Sequence, residues 1–181
     1  MTSPFPFFDG EYTSVYVCSN GYLSFNTSDA YYSNTAIPFE AYPNAMIAPF
    51  WDDLYLDSSL GGRVTAQRLG ASPNSRMVIT WGNVRHVGEY VSSAPASFQV
   101  ILEERTGNIT MQYANVSFSS GSYTGGASAT VGIEDHDGSD GLQYSYNQAS
   151  LSANQAIVFL PRGNSDSAAG AVVPWLPILL Q

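Results

Sequence analysis

Two adjacent carboxylates, Asp52 and Asp53, close the most compact apolar run of the chain, Ala45-Met46-Ile47-Ala48-Pro49-Phe50-Trp51. A carboxylate pair can act as general acid and base, and Glu103, Glu104, Glu134 and Asp135 offer further acids from which a glycosidase pair could be drawn. The same two side chains at the end of an apolar strand can also cap a corner, and adjacent acids cap turns more often than they catalyse. The capped corner is the preferred reading. Nucleophilic catalysis needs a Ser or Cys beside a base. The chain has one cysteine, Cys18, and two histidines, His86 and His136, both in segments that read as loops, and no Gly-x-Ser-x-Gly elbow. One Cys and two His fall short of the usual structural zinc set. Asp135-x-Asp137-Gly138-x-Asp140-Gly141 gathers oxygen donors and turn glycines in a short loop, as calcium sites do. Its spacing misses the EF-hand pattern and it lacks the distal Glu, so Asp135, Asp137 and Asp140 read first as a solvated acidic hairpin. No catalytic residue, no cofactor and no firm metal site are assigned.

Charge narrows the partners. The six basic residues are all arginine, and against 15 acidic residues they leave a formal net charge of −9. Phosphate binding needs basic clusters, so nucleic acid is an improbable partner, and an anionic membrane surface is improbable on the same ground. Twelve tyrosines, many small polar residues and only 12% charged residues resemble secreted and surface proteins. Cys18 has no second cysteine to pair with, and reads as a small core residue or, less simply, as an intermolecular bridge. The first residues show neither the basic nor the apolar part of a signal peptide. That fits a cytosolic protein or numbering from a processed end, and composition favours the second. Asn26-Thr27-Ser28, Asn108-Ile109-Thr110 and Asn115-Val116-Ser117 match the short glycosylation sequon.

The elements that must position these residues are short strands. Pro4 and Pro6 keep an aromatic N-terminal segment extended. Tyr12, Ser14, Tyr16 and Cys18 alternate with Thr13, Val15 and Val17, and Asn20-Gly21 then predicts a type I′ hairpin into Tyr22-Leu23-Ser24-Phe25. Residues 26–44 form a long loop, and loops of this length are often functional. The Met46–Trp51 run suits a buried strand, with Pro49 confined to a strand end or bulge. Strands follow around Arg63–Leu69 and Arg76–Trp81, then an irregular loop over 85–95. A hairpin through Arg105-Thr106-Gly107-Asn108 joins Ser97–Glu103 to Ile109–Val116. Further strands lie over Ala127–Glu134, Leu142–Tyr146 and Ala156–Leu160. About ten short strands without a convincing helix predict an all-β antiparallel sandwich over residues 1–161. Phe50, Trp51 and Trp81 are expected in its core. Residues 162–170 have the composition of a flexible linker. Residues 171–181 are almost wholly apolar and too short to span a bilayer, which needs ~20 residues.

Four stretches carry a family resemblance. Val15-Tyr16-Val17-x-Ser19-Asn20-Gly21-Tyr22-Leu23-Ser24-Phe25, Ile47-Ala48-Pro49-Phe50-Trp51-Asp52-Asp53, Val78-Ile79-Thr80-Trp81-x-Asn83-Val84 and Ser97-Phe98-Gln99-Val100-Ile101-Leu102 resemble the nidogen-type extracellular domain. That domain occurs in nidogen, in tectorial-membrane and mucin-like surface proteins, and in bacterial secreted proteins. The resemblance covers about residues 5–160, is closest to prokaryotic variants and leaves the tail outside. It implies a secreted, non-catalytic matrix or adhesion module, with no catalytic residues to carry over. The tail sharpens the expectation. An uncharged apolar segment on a linker needs something to bury it. The plain outcome is docking on its own domain; the sharper expectation is that Val173, Trp175, Ile178 and Leu180 dock on another copy of the chain, making a head-to-tail surface filament. The alternative is a monomeric adhesion module that binds glycan or matrix protein through the Tyr-rich loops at 27–44 and 85–95.

Overall fold

The computed structural model describes residue 1, residues 4–89 and 95–161, and the backbone of 171–174. A short hairpin, β1 (Phe5–Phe7) and β2 (Gly10–Tyr12), opens the chain. There follow β3 (Tyr16–Cys18), β4 (Tyr22–Ser24), β5 (Met46–Trp51), β6 (Leu54–Tyr55), β7 (Arg63–Leu69), β8 (Arg76–His86), β9 (Ala96–Glu103), β10 (Ile109–Asn115), β11 (Thr130–Glu134), β12 (Gly141–Tyr146), β13 (Gln155–Phe159) and β14 (Ala171–Pro174). One five-stranded sheet has the order β12-β11-β5-β4-β3. A seven-stranded sheet runs β14-β13-β10-β9-β8, with β6 and β7 both paired to β8. Every pairing is antiparallel, and the two larger sheets share one apolar core, so the fold is the all-β sandwich expected from the strand pattern. Among the described residues the helical pieces are two 3-10 turns, Ser58–Leu60 and Thr124–Gly126, and no helix is long and apolar enough to cross a membrane.

Period-two alternation builds the inner face of the larger sheet. Ile79 and Trp81 on β8, Phe98, Val100 and Leu102 on β9, Ile109, Met111 and Tyr113 on β10, and Ile157 and Phe159 on β13 are all buried in the shared core. The opposite face carries a polar row. Thr80 donates to Gln99 at 3.2 Å and Gln99 to Gln112 at 2.7 Å, each pair lying directly across two strands. Two side chains tie the sheets together: the Trp81 indole N–H donates to the Cys18 carbonyl at 2.8 Å, and the Tyr113 hydroxyl to the Pro49 carbonyl at 2.8 Å.

β5 is buried on both faces, and Pro49 explains how one strand supplies both. Between Ala48 and Trp51 it carries one residue more than the facing stretch of β11, a bulge at Pro49–Phe50. A proline there removes no ladder bond. The extra residue also shifts the alternation: Ile47 and Phe50 face the shared core, while Met46, Ala48 and Trp51 face outward. The outward set packs with Cys18, Tyr22 and Ile37 in a second apolar cluster.

Residues 26–44 lie over that second cluster. Tyr22 donates its hydroxyl to the Asp29 carbonyl at 2.6 Å, Trp51 its indole N–H to the Tyr31 carbonyl at 3.1 Å, and Thr130 its hydroxyl to the Thr35 carbonyl at 2.6 Å. Asn34 reaches Ser128, Thr130 and Asn147, and the Ile37 amide donates to Gln143. The long loop is therefore a cover for the outer face of the five-stranded sheet. Further along it, the Phe39 amide donates to Glu134 Oε2 at 2.7 Å and the Asn44 carbonyl accepts the Ser24 hydroxyl at 2.9 Å.

Burial pushes the Glu134 carboxyl up to about 7; the Phe39 N–H opposes this shift and Asp135 adds to it. A folded value raised above the unfolded one favours the protonated form, so stability falls as pH rises from about 4.5 to about 7. Glu134→Gln keeps an acceptor for Phe39 and removes the ionisation. It is expected to match the wild type near pH 4 and to exceed it near pH 8 by roughly 1–2 kcal/mol, a figure reduced for solvent screening. Urea denaturation at the two pH values checks this, and equal stabilities near pH 8 would contradict it.

Three local expectations are corrected. The β3–β4 connection is a three-residue loop, 19–21, in which Gly21 alone has left-handed backbone (φ 77°), rather than a type I′ turn at Asn20-Gly21. The cause is a tertiary contact: the Gly21 carbonyl accepts from the Phe50 amide at 3.1 Å, and a Cβ on Gly21 would run into the Phe50 carbonyl. The loop expected at 85–95 begins later, because Arg85 and His86 still belong to β8 and pair with β6. Finally, β13 is not the last strand, since β14 pairs with it from Val158↔Ala171 to Gln155↔Pro174.

Candidate functional site

The Asp52 corner gathers several polar side chains around a buried carboxylate. The bulged end of β5 turns there into β6, and the 19–21 loop holds it from one side. The Asp52 amide donates to the Asn20 carbonyl at 3.2 Å, and the Leu54 amide to Asn20 Oδ1 at 3.1 Å. The Asp52 carboxylate is buried and fully engaged. Its Oδ1 accepts the Asp53 amide at 2.9 Å and lies 3.2 Å from His86 Nε2, and its Oδ2 accepts the Ser128 hydroxyl at 2.5 Å. His86 Nδ1 accepts the Gly88 amide at 2.9 Å, which leaves Nε2 as the protonated nitrogen facing Asp52. The imidazole stacks on Tyr123 at 3.6 Å between centroids.

Ser, His and Asp therefore meet here, with Asp in the middle. The Ser128 hydroxyl is directed at the carboxylate, not at the imidazole that would have to take its proton as a general base. What the arrangement does is join three pieces of chain: the end of β5, the end of β8 and the segment before β11. Asp53 contributes main-chain groups to this corner. Its amide faces Asp52, and its carbonyl accepts from Val87 at 2.9 Å. Asn20, Tyr123 and Ser128 went unnoticed in the sequence, where Asn20 reads as a turn residue, Tyr123 as part of a Gly/Ser-rich link over 119–126 and Ser128 as a strand residue.

The remaining acids are dispersed, and each serves its own neighbourhood. Glu103 Oε2 accepts from Thr106 and Asn108 in the β9–β10 turn. Glu104 accepts the Ser75 hydroxyl at 2.5 Å and lies 3.5 Å from Arg68. In the acidic loop, Asp135 accepts from the Asp140 amide and the Ser139 hydroxyl, and Asp137 accepts from the Ser139 amide. Asp135, His136 and Asp137 bring ligand atoms within 4.8 Å of one another, whereas Asp140 is not in that group. Cys18 is buried and free.

Depressions among the described residues include two with apolar walls. One, of about 410 Å³, lies between β3, the start of the 26–44 cover and the β6–β7 region, and is lined by Tyr16, Val17, Cys18, Tyr22, Leu56 and Val64 among others. The other, of about 290 Å³, lies beside the β1–β2 hairpin and the end of β13 and includes Phe8, Leu142 and Leu160. The cover exposes Tyr31, Tyr32, Phe39 and Tyr42. Of the residues expected to mediate assembly, Val173 lies in β14, where its backbone pairs opposite Ala156 of the same chain. Trp175, Ile178 and Leu180 lie outside the described residues, as does Tyr90 of the second Tyr-rich loop.

No curated protein and no solved structure matches this chain. A family model described as NIDO related matches residues 2–177. The match runs past Pro161 and takes in β14, which corrects the expectation that the resemblance stops near residue 160. NIDO domains are extracellular-type modules. With a two-sheet antiparallel sandwich and a match over nearly its whole length, the chain belongs to the NIDO-related family.

Proposed function

We propose that this chain is a secreted, non-enzymatic structural module that links to further copies of itself through its C-terminal segment, forming a head-to-tail filament or matrix at a cell surface. The observation that carries the reading is the position of β14. Its backbone extends the seven-stranded sheet along β13, so the chain reaches Pro174 at one edge of the sandwich. From there seven residues remain, Trp175-Leu176-Pro177-Ile178-Leu179-Leu180-Gln181, without a charge among them. Extended, they reach at most ~24 Å, enough to contact an adjoining subunit. Trp175 is the main anchor, with Ile178 and Leu180 beside it, and Val173 belongs to the strand that holds the segment in place. A tail at one edge that meets a different surface on the next copy is a heterologous contact, which does not close.

The non-enzymatic part rests on the Asp52 corner, whose carboxylate is saturated by structural donors. A panel of ester and glycoside substrates is expected to show no turnover that Asp52→Asn or His86→Ala removes; such turnover would overturn this part. For assembly, light scattering is expected to show polymers of the full chain and monomers of chains ending at Pro161 or Pro174. Trp175→Ala is expected to weaken assembly without changing the melting temperature. Equal polymerisation of the shortened chains, or a monomeric full chain, would overturn the filament. A stable monomer with a saturable glycan or protein ligand would favour the second reading, an adhesion module, which the cluster of exposed aromatics on the 26–44 cover supports.

A further inference from the structure

The two long edges of the sandwich differ in a way that suits them to each other. β3 is the terminal strand of the five-stranded sheet, and among the described residues no strand pairs with its outer side. Natural edge strands are commonly blunted by shortness, charge, proline or a bulge, and β3, at three residues, uses only the first. Tyr16-Val17-Cys18 has no charge and no proline, and its register with β4 is unbroken from Tyr16↔Ser24 to Cys18↔Tyr22. By contrast β12, the other edge of that sheet, is interrupted by a register shift in its pairing with β11. Tyr16 and Val17 are 48% and 39% exposed, high values for two large apolar side chains in a row. Beside them lies the 410 Å³ groove, floored by Cys18 and Tyr22 and walled on the far side by Leu56 and Val64 next to β6 and β7. A groove of that size lies within the ~300–1,000 Å³ range of clefts that bury a ligand-sized group.

Accepting the filament reading given above, we infer that this groove along β3 receives the Trp175–Leu180 segment of a second copy. Three observations choose this occupant. First, the segment is uncharged, so it can approach a molecule of formal net charge −9 without repulsion, and it meets a largely apolar lining. Second, β14 and the β6–β7 wall are at opposite ends of the seven-stranded order, five strand spacings or ~24 Å apart. A donor at one edge and an acceptor at the other give each subunit one of each, the condition for an open chain of copies. Third, Pro174 and Pro177 have no backbone N–H, so the segment has few donors for a full strand ladder. It can lie along a β3 edge and be held by side-chain burial, with the Trp175 indole in the groove.

The test uses the full chain with Val17→Arg or Tyr16→Arg, each charging the groove at an exposed position, and Leu142→Arg in the second depression as control. Both groove variants are expected to melt like the wild type and to raise the concentration for half-assembly by about tenfold or more, as loss of an interface anchor does, while the control assembles normally. A second arm does not depend on disrupting the fold. In a Cys18→Ala background, Val17→Cys combined with Ile178→Cys is expected to give disulfide-linked ladders under air oxidation that neither single variant gives. If deleting 175–181 abolishes assembly while the groove variants polymerise normally and the double-cysteine chain forms no ladder, the groove assignment is wrong and the filament reading stands. If the full chain never assembles, both fall together.

Discussion

Trp81→Ala is expected to cost about 3–5 kcal/mol, enough to remove much of the stability of a domain this size. The side chain is fully buried in the middle of the shared core and stacks on Phe98 with centroids 5.3 Å apart. Its indole N–H also meets the Cys18 carbonyl of the opposite sheet. Alanine would leave a cavity between the sheets and take away one of the polar ties between them. Trp51→Ala should fall in the lower part of the same range. It too is buried, but it packs in the smaller outer cluster beneath the 26–44 cover, and a cover can settle where two facing sheets cannot. Urea denaturation measures both. Wild-type midpoints for the two variants would contradict the assignment of β5 and β8 to the core.

Asp52→Ala is expected to cost about 3 kcal/mol, and the size follows from what it leaves behind. His86 Nε2–H, the Ser128 hydroxyl and the Asp53 amide would lose their acceptor together around a buried position. Asp52→Asn keeps the shape and one acceptor oxygen, and the Ser128 hydroxyl can turn to accept from the new amide. Its cost should therefore be nearer 1 kcal/mol. The ratio between the two variants separates a structural corner from a catalytic one. If Asp52 were catalytic, Asn would remove an activity and leave stability intact. If Ala and Asn destabilise equally little, the corner is not the tie between β5, β8 and the segment before β11 that the hydrogen bonds describe.

Local patterns made the sheets legible in advance, and long-range contacts were where the sequence fell short. Alternation identified β7, an apolar run β8 and a Gly-containing turn the β9–β10 hairpin, and the missing N–H of Pro49 called for a bulge or a strand end before any partner strand was known. Asn20-Gly21 misled because turn propensity describes an isolated hairpin. Here the Gly21 carbonyl and the Asn20 side chain are committed to β5 and β6, some thirty residues further along the chain. The role of 26–44 was hidden for a similar reason. Its polar residues look like a loop, and nothing local says that Asn34, Ile37 and Phe39 bond to residues beyond 125. The acids at 52, 103, 104, 134 and 135 could be listed from composition, but only the fold separates them into unrelated caps. β14 was visible as an apolar segment, yet short apolar runs do not announce which sheet edge they join.

The claim on which the functional account stands is that residues 175–181 join one copy of the sandwich to the next. Negative-stain electron microscopy of the purified full chain beside a chain ending at Pro174 tests it most directly, since both retain β14. The account predicts long unbranched filaments from the first and dispersed single particles from the second. Dispersed particles from both, or filaments from both, would contradict it.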